Sequence, residues 1–341
     1  MMDENKSRRR FVKKGQDVLI DSITKGLLEG NRRDLAKGIT LIESSAAKHY
    51  QLGQELLKQI SPHSGNSIRI GITGVPGAGK STFIEAFGEI LCSSGHKVAV
   101  LAIDPTSTIT GGSILGDKTR METLSRNPQA FVRPSPTAGT LGGVHRKTRE
   151  TIALCEAAGY DVILIETVGV GQSEVIVRGM VDFFMLLAIT GAGDELQGMK
   201  KGIIELADAI VVNKADGKNK SVAEKTKREF NQILHFLQPA TKGWQTKAYT
   251  CSSLKNEGLV ELWELISAFQ QKMKESGVFQ ERRQTQSKEW LHSLIKDRLL
   301  TSFFSQENIK KQLPLFEKDV MNGEITASQA MEKLFYLFSD N

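Results

Sequence analysis

Cysteine is scarce in this chain. Cys92, Cys155 and Cys251 are the three in 341 residues, no CxxC pair exists, and the six histidines are scattered. Neither a disulfide framework nor a structural zinc site is expected from such spacing. Long apolar runs are missing too, so no membrane-spanning segment is expected. The first residues, Met1-Met2-Asp3-Glu4-Asn5, are partly acidic and are followed by no apolar core of a secretory signal. These absences point to the cytoplasm or an equivalent reducing compartment. Aromatic residues make up only 6% of the chain and do not interleave with basic ones. A nucleic-acid surface is therefore not expected. The net charge of +6 is dispersed, and its densest cluster, Arg8-Arg9-Arg10 with Lys13-Lys14, reads as a solvated tail, although it can touch an acidic partner.

What is present is a chain with 40% hydrophobic residues, enough for a sizeable core. Residues 1–62 read as a helical N-terminal extension. Leu19, Ile23 and Leu27 share one helix face, Leu35, Ile39 and Leu41-Ile42 a second, and Leu52, Leu56-Leu57 and Ile60 a third. Gly30-Asn31 separates the first two helices. Across 63–278, apolar strands alternate with helices, which predicts a mostly parallel sheet covered on both faces. The fold class is α/β. The pattern turns helical again over 279–341, with Leu291, Leu294-Ile295 and Leu299 on one face. Phe316 and Val320 mark a short helix, and a further helix follows the turn at Asn322-Gly323-Glu324. This tail suits either packing on its own core or pairing with a second subunit.

The chemistry starts at one stretch. The strand Ile68-Arg69-Ile70-Gly71-Ile72-Thr73 leads into Gly74-Val75-Pro76-Gly77-Ala78-Gly79-Lys80-Ser81-Thr82, and a helical pattern begins at Phe83. The motif is G-x-x-x-x-G-K-[ST], a phosphate-binding P-loop between strand and helix. Its glycines allow a tight turn that aims N–H groups at phosphate oxygens, and the helix start adds partial positive charge. Lys80 neutralises the β/γ-phosphates and the Ser81 hydroxyl is placed for Mg²⁺.

Asn213-Lys214-Ala215-Asp216 follows the apolar strand 208–212. The Asp216 carboxylate can accept from N1–H and the 2-amino group of guanine, a donor pair adenine lacks, so the pattern favours GTP over ATP. The Lys214 stem can lie over the base, and a loop N–H of Ser252-Ser253-Leu254 can meet the guanine O6. Glu166 ends another apolar strand and is a candidate Mg²⁺ ligand, with the Gly169 N–H in reach of a γ-phosphate. Asp104 and Asp117 are further candidates for metal or water. Helix or loop capping is the competing role for all three carboxylates. Val170 stands after Gly169, where many GTPases carry a water-orienting glutamine, so slow intrinsic turnover is expected.

Taken together, GVPGAGKST (74–82), DPTS (104–107), GSILGDKTRM (112–121), ETVGVGQSE (166–174), GAGDELQGMK (191–200) and NKAD (213–216) resemble the family of GTPases associated with methylmalonyl-CoA mutase. It is known as MeaB in bacteria and MMAA in human mitochondria, with ArgK an older bacterial label. The resemblance covers about residues 15–335. It implies a P-loop NTPase fold of the dimerising branch, with a helical C-terminal dimerisation arm. It implies a GTP-hydrolysing chaperone, cycling between GTP and GDP with Mg²⁺. Such a chaperone gates adenosylcobalamin loading and protects or reactivates a cobalamin-dependent acyl-CoA mutase. It also implies that Lys80 and Ser81 serve phosphate and metal, that Asp104, Asp117 and Glu166 surround metal and water, and that 191–200 is a nucleotide-sensing switch. Two positions depart from the family pattern: Ser253 replaces Ala, and Asn256 replaces Gly where a positive φ is tolerated by Asn. A metallochaperone GTPase would need a Cys- or His-rich metal loop, which is missing. A transport-linked ATPase or kinase is opposed by the NKxD sequence.

Overall fold

The computed structural model describes residues 18–44, 46–104, 121–136, 141–167, 173–190 and 201–339. The chain divides into two compact units, Met1–Arg283 and Gln284–Asn341.

The first unit is built on a seven-stranded parallel sheet in the order β3-β2-β4-β1-β5-β6-β7. The strands are β1 (Ile68–Gly74), β2 (Val98–Asp104), β3 (Ala130–Pro136), β4 (Val162–Thr167), β5 (Phe183–Ala188), β6 (Ala209–Val212) and β7 (Lys247–Thr250). The central strands β4, β5 and β6 are buried at every residue, as expected of parallel strands covered on both faces. The chain leaves β1, crosses over β4 to form β2, and returns, so β1 and β4 lie side by side with Ile72 opposite Glu166. Ligands of open α/β sheets bind at the carboxyl ends of strands where the order reverses, and this is such a place.

One face of the sheet is covered by α4 (Lys80–Ser93) and α10 (Leu259–Glu275), which bury Phe83, Phe87, Ile266 and Phe269 over Ile70, Leu164 and Met185. The other is covered by α6 (Leu141–Ala157) and the N-terminal helices: α1 (residues 18–28), α2 (Arg32–Glu43) and α3 (Ala47–Ile60). Ile20, Leu27, Leu35, Ile39 and Leu56 belong to the same core as Leu101, Ile163 and Ile165. The N-terminal helices thus bury their apolar stripe against the sheet side of the molecule rather than among themselves alone. Gly30 closes α1 at φ 78°, and Asn31 caps α2, its Oδ1 accepting from Arg33 N at 2.9 Å and Asp34 N at 3.4 Å. Short helices α5 (Glu122–Arg126), α7 (Ser173–Arg178) and α8 (Lys201–Ile204) and the longer α9 (Lys220–His235) complete the unit.

Helix α11 (Val278–Ser305) spans the boundary, and α12 (Glu307–Met321) and α13 (Ala327–Ser339) follow. In the second unit Phe303 stacks near Phe335 and Phe338, at centroid distances of 5.1 and 5.2 Å. Helix α12 is longer than the short element expected around Phe316 and runs through Pro314. The proline removes one N–H, but burial of Ile309 on the apolar face holds the helix together. No described helix is long and apolar enough to cross a membrane.

Candidate functional site

The P-loop follows the central strand β1. A Cβ on Gly74 would sit 2.3 Å from the Leu187 carbonyl oxygen on β5, so only glycine lets the chain turn there. Gly79, the residue before α4, has φ 81°, a left-handed conformation that opens the helix with its first amides unblocked. The turn is closed by Ala78 N donating to Val75 O at 3.1 Å. Lys80 folds back over it, Nζ donating to Gly74 O at 2.8 Å and to Val75 O at 3.4 Å. Burial pushes the Lys80 ammonium below the ordinary lysine value, while Glu166 and then Glu174 pull it back up. The result is a cation held at the start of a helix, over a loop of the kind that turns its amides toward anions.

The neighbouring strand supplies the acid. Glu166 is buried near the end of β4, and its Oε1 accepts from the Ser81 hydroxyl at 3.4 Å. Next to Glu166, Thr167 Oγ1 donates to Thr73 Oγ1 at 2.8 Å, tying β4 to β1. A hydroxyl beside a carboxylate offers hard oxygen donors, which suit Mg²⁺. Asp104 closes β2, the other neighbour of β4, but its side chain lies outside the described structure. Asp117, Gly169 and the 191–200 loop lie outside the described residues as well. The structure adds Glu174, buried in the first turn of α7, whose charge acts on Lys80. In the sequence it stands only as the last letter of the 166–174 motif. Its signal there was an acidic residue one helical turn past a glycine-rich loop.

On the other side of the P-loop, β6 and β7 end in two loops that grip each other. Asn213 is buried, and its Nδ2 donates to Ala78 O at 3.0 Å. Its Oδ1 accepts from Ser253 Oγ at 2.8 Å, Ser253 N at 3.2 Å and Cys251 Sγ at 3.4 Å. Burial pushes the Cys251 thiol up to about 12, against the pull of Ser253, so it stays protonated and able to donate. Lys214 has φ 61°, and a Cβ on Gly79 would lie 3.7 Å from Lys214 Cε, so the lysine stem lies alongside the P-loop. Asp216 Oδ2 accepts from Ser252 Oγ at 2.5 Å, and Ser252 Oγ accepts in turn from Lys255 N at 3.2 Å. Ala215 N donates to Cys251 O at 2.9 Å. Asn256 takes φ 57°, the left-handed conformation that the replacement of a glycine requires. Leu254 is exposed at the rim, while Ser252 and Ser253 are buried. P-loop, NKxD turn and the 252–254 loop thus meet around one mouth at the carboxyl ends of β1, β6 and β7.

Comparison with known proteins gives the same assignment from a different direction. Residues 35–308 match the model of the family described as methylmalonyl Co-A mutase-associated GTPase MeaB. A probable GTPase of Mycobacterium tuberculosis is 48% identical over 318 residues, 93% of this chain and 95% of that protein. The GTPase ArgK of Escherichia coli is 48% identical over 317 residues, covering 93% of this chain and 96% of its own. The mitochondrial methylmalonic aciduria type A homolog of Mus musculus is 45% identical over 329 residues, 94% of this chain and 79% of that one. Among solved structures, one titled a LAO/AO transport system kinase superposes with a TM-score of 0.76 at 38% identity, covering 94% of this chain and 98% of that chain. The chain is a P-loop GTP hydrolase and belongs to the MeaB family of methylmalonyl-CoA mutase-associated GTPases.

Proposed function

We propose that this GTPase works as a chaperone of a cobalamin-dependent acyl-CoA mutase, gating adenosylcobalamin loading and protecting or reactivating methylmalonyl-CoA mutase. The nucleotide half of the reading rests on one observation above all: Asn213 joins the P-loop at Ala78 to the loop that carries Ser252 and Ser253. Base and phosphate contacts are therefore built on one hydrogen-bonded piece. Asp216 reads guanine, Lys214 flanks the base, and Ser252, Ser253 and Leu254 close over it. The amides of 74–79 and the Lys80 ammonium take the phosphates, and Thr82 continues the helix that starts there. Ser81, Glu166, Asp104 and Asp117 would hold Mg²⁺, which would offset the charge of the phosphates. Glu166 also favours the charged form of Lys80, against the burial that lowers it. The Gly169 N–H meets the γ-phosphate. With Val170 after it instead of a glutamine, the chain alone orients water poorly, and the client or the 191–200 loop completes the site.

The client half is supported by the family's description and by the name of the mouse relative. Within the second unit, Leu291, Ile295 and Leu299 follow each other at helical spacing on α11 and are exposed. A stripe of this kind supports a homodimerising arm. The reading places the protein in the cytoplasm; no described helix is long and apolar enough to cross a membrane.

The test is GTP hydrolysis by the full chain, alone and with the same organism's methylmalonyl-CoA mutase in apo and cobalamin-loaded forms. The reading predicts a slow basal rate and a marked rise with the mutase. No rise with either form, together with no complex on gel filtration, would overturn the client assignment.

A further inference from the structure

Two adjacent serines end up facing different parts of the nucleotide site. Ser252 Oγ donates to Asp216, the residue assigned to the base. Ser253 Oγ points the other way and donates to Asn213 Oδ1 at 2.8 Å, the shortest of the three donors that oxygen receives. Asn213 in turn holds the P-loop, with Nδ2 on Ala78 O at 3.0 Å and on the side where a Gly79 Cβ would come within 3.0 Å of it. Asn213 and Ser253 are 1% and 6% exposed, so water does not replace a bond lost here.

We infer that Ser253 is a positioning residue for phosphate binding: its hydroxyl fixes the Asn213 amide and thereby holds the Ala78-Gly79 turn in its anion-binding shape. The inference rests on the nucleotide-site reading above and adds a division of labour to it. Ser252 serves base choice, whereas Ser253 serves the affinity for any nucleoside diphosphate. The geometry supports the division because the two hydroxyls share no acceptor. An alanine at 253 keeps the backbone N–H bond to Asn213 at 3.2 Å and the Cys251 contact at 3.4 Å, so the amide is loosened rather than released. One neutral hydrogen bond in a buried site corresponds to a loss in affinity of roughly three- to tenfold. The loss should be the same for GDP and IDP, which present the same O6 to the loop, since Asp216 and Ser252 are untouched.

The experiment is titration of the full-length protein with GDP and with IDP, which lacks the 2-amino group that Asp216 accepts from. Wild type, Ser253→Ala, Ser253→Thr, Ser252→Ala and Lys80→Ala are compared at a temperature well below melting. The inference predicts that Ser253→Ala weakens GDP and IDP by the same factor and that Ser253→Thr, which keeps the hydroxyl, recovers most of the loss. It predicts that Ser252→Ala instead narrows the GDP/IDP ratio. Unchanged Kd in Ser253→Ala, with only the nucleotide-free melting temperature lowered, would overturn it and leave Ser253 a purely structural residue. A GDP/IDP ratio altered by Ser253→Ala would overturn the division of labour. Undiminished GDP binding by Lys80→Ala would instead refute the site reading beneath it.

Discussion

The two ends of the sheet use the same residue types for opposite purposes. At the carboxyl end, Lys80 lies between loop carbonyls and carboxylates at a spacing that leaves Ser81 and Glu166 3.4 Å apart. At the amino end, three buried carboxylates are closed tightly. Glu156 takes Arg69 Nε at 2.9 Å and Nη2 at 3.0 Å, with the Ser67 hydroxyl at 2.6 Å. Asp182 takes Arg283 Nε at 2.8 Å and Nη2 at 2.7 Å. Asp208 takes Arg178 Nη1 at 2.7 Å, as well as the Thr241 hydroxyl. Arg282 adds bonds to Asp182 O and Thr241, and Trp244 Nε1 donates to Asp208 O at 2.9 Å. The side chains of Glu156, Asp182 and Asp208 are fully buried. Pairing as complete as this marks charges that hold the fold, whereas a lysine over a P-loop is placed to serve a ligand as well.

The sharpest way to break this contrast is to remove one charge at each end. Asp208→Ala leaves Arg178 and Arg282 without their carboxylate in the interior. It should cost about 3–5 kcal/mol of stability, read by chemical denaturation. Lys80→Ala should leave stability within about 1 kcal/mol of wild type, because a partly desolvated cation is lost, yet it should abolish GTP binding. Similar stability losses in both variants would erase the distinction.

Acid separates the two ends next. Burial pushes the Glu156 carboxyl up, but Arg69, the Ser67 hydroxyl and Arg283 together outweigh it and hold it below the usual glutamate value. A folded value below the unfolded one, about 4.3, means that the stabilisation is fully present above that pH. It is lost as pH falls through the folded value. Unfolding free energy measured from pH 7 down to pH 3 should therefore fall more steeply for wild type than for Glu156→Gln. Parallel curves would show that Glu156 does not carry this dependence. The smallest effect is at the guanine loop, where Asn256 has φ 57°. Asn256→Ala should cost about 1 kcal/mol and Asn256→Gly nothing or less, both read as shifts in denaturation midpoint.

The carboxyl end was legible in the sequence and the amino end was not. The P-loop is a contiguous string between a strand and a helix, and Asn213 to Asp216 follow a strand directly, so local order fixes their place. The pairs below join residues far apart in the chain: Arg69 and Glu156 are 87 positions apart, and Arg283 and Asp182 are 101 apart. Nothing local in Arg282-Arg283 announces that these side chains seal the base of the sheet. Glu174 was obscured for a related reason, since its nearness to Lys80 depends on how α7 packs beside β1 and β4. The full extent of α12 was hidden by Pro314, because a proline inside a helix argues for a break unless the buried face decides otherwise.

The central claim is that the mouth formed by the P-loop, the NKxD turn and the 252–254 loop reads guanine through Asp216. The most direct measurement is the affinity of Asp216→Asn for GDP and for XDP, in which a carbonyl replaces the 2-amino group. The account predicts that the variant loses GDP affinity and gains XDP, because the new amide donates where the carboxylate accepted. Undiminished GDP affinity without any gain for XDP would contradict it.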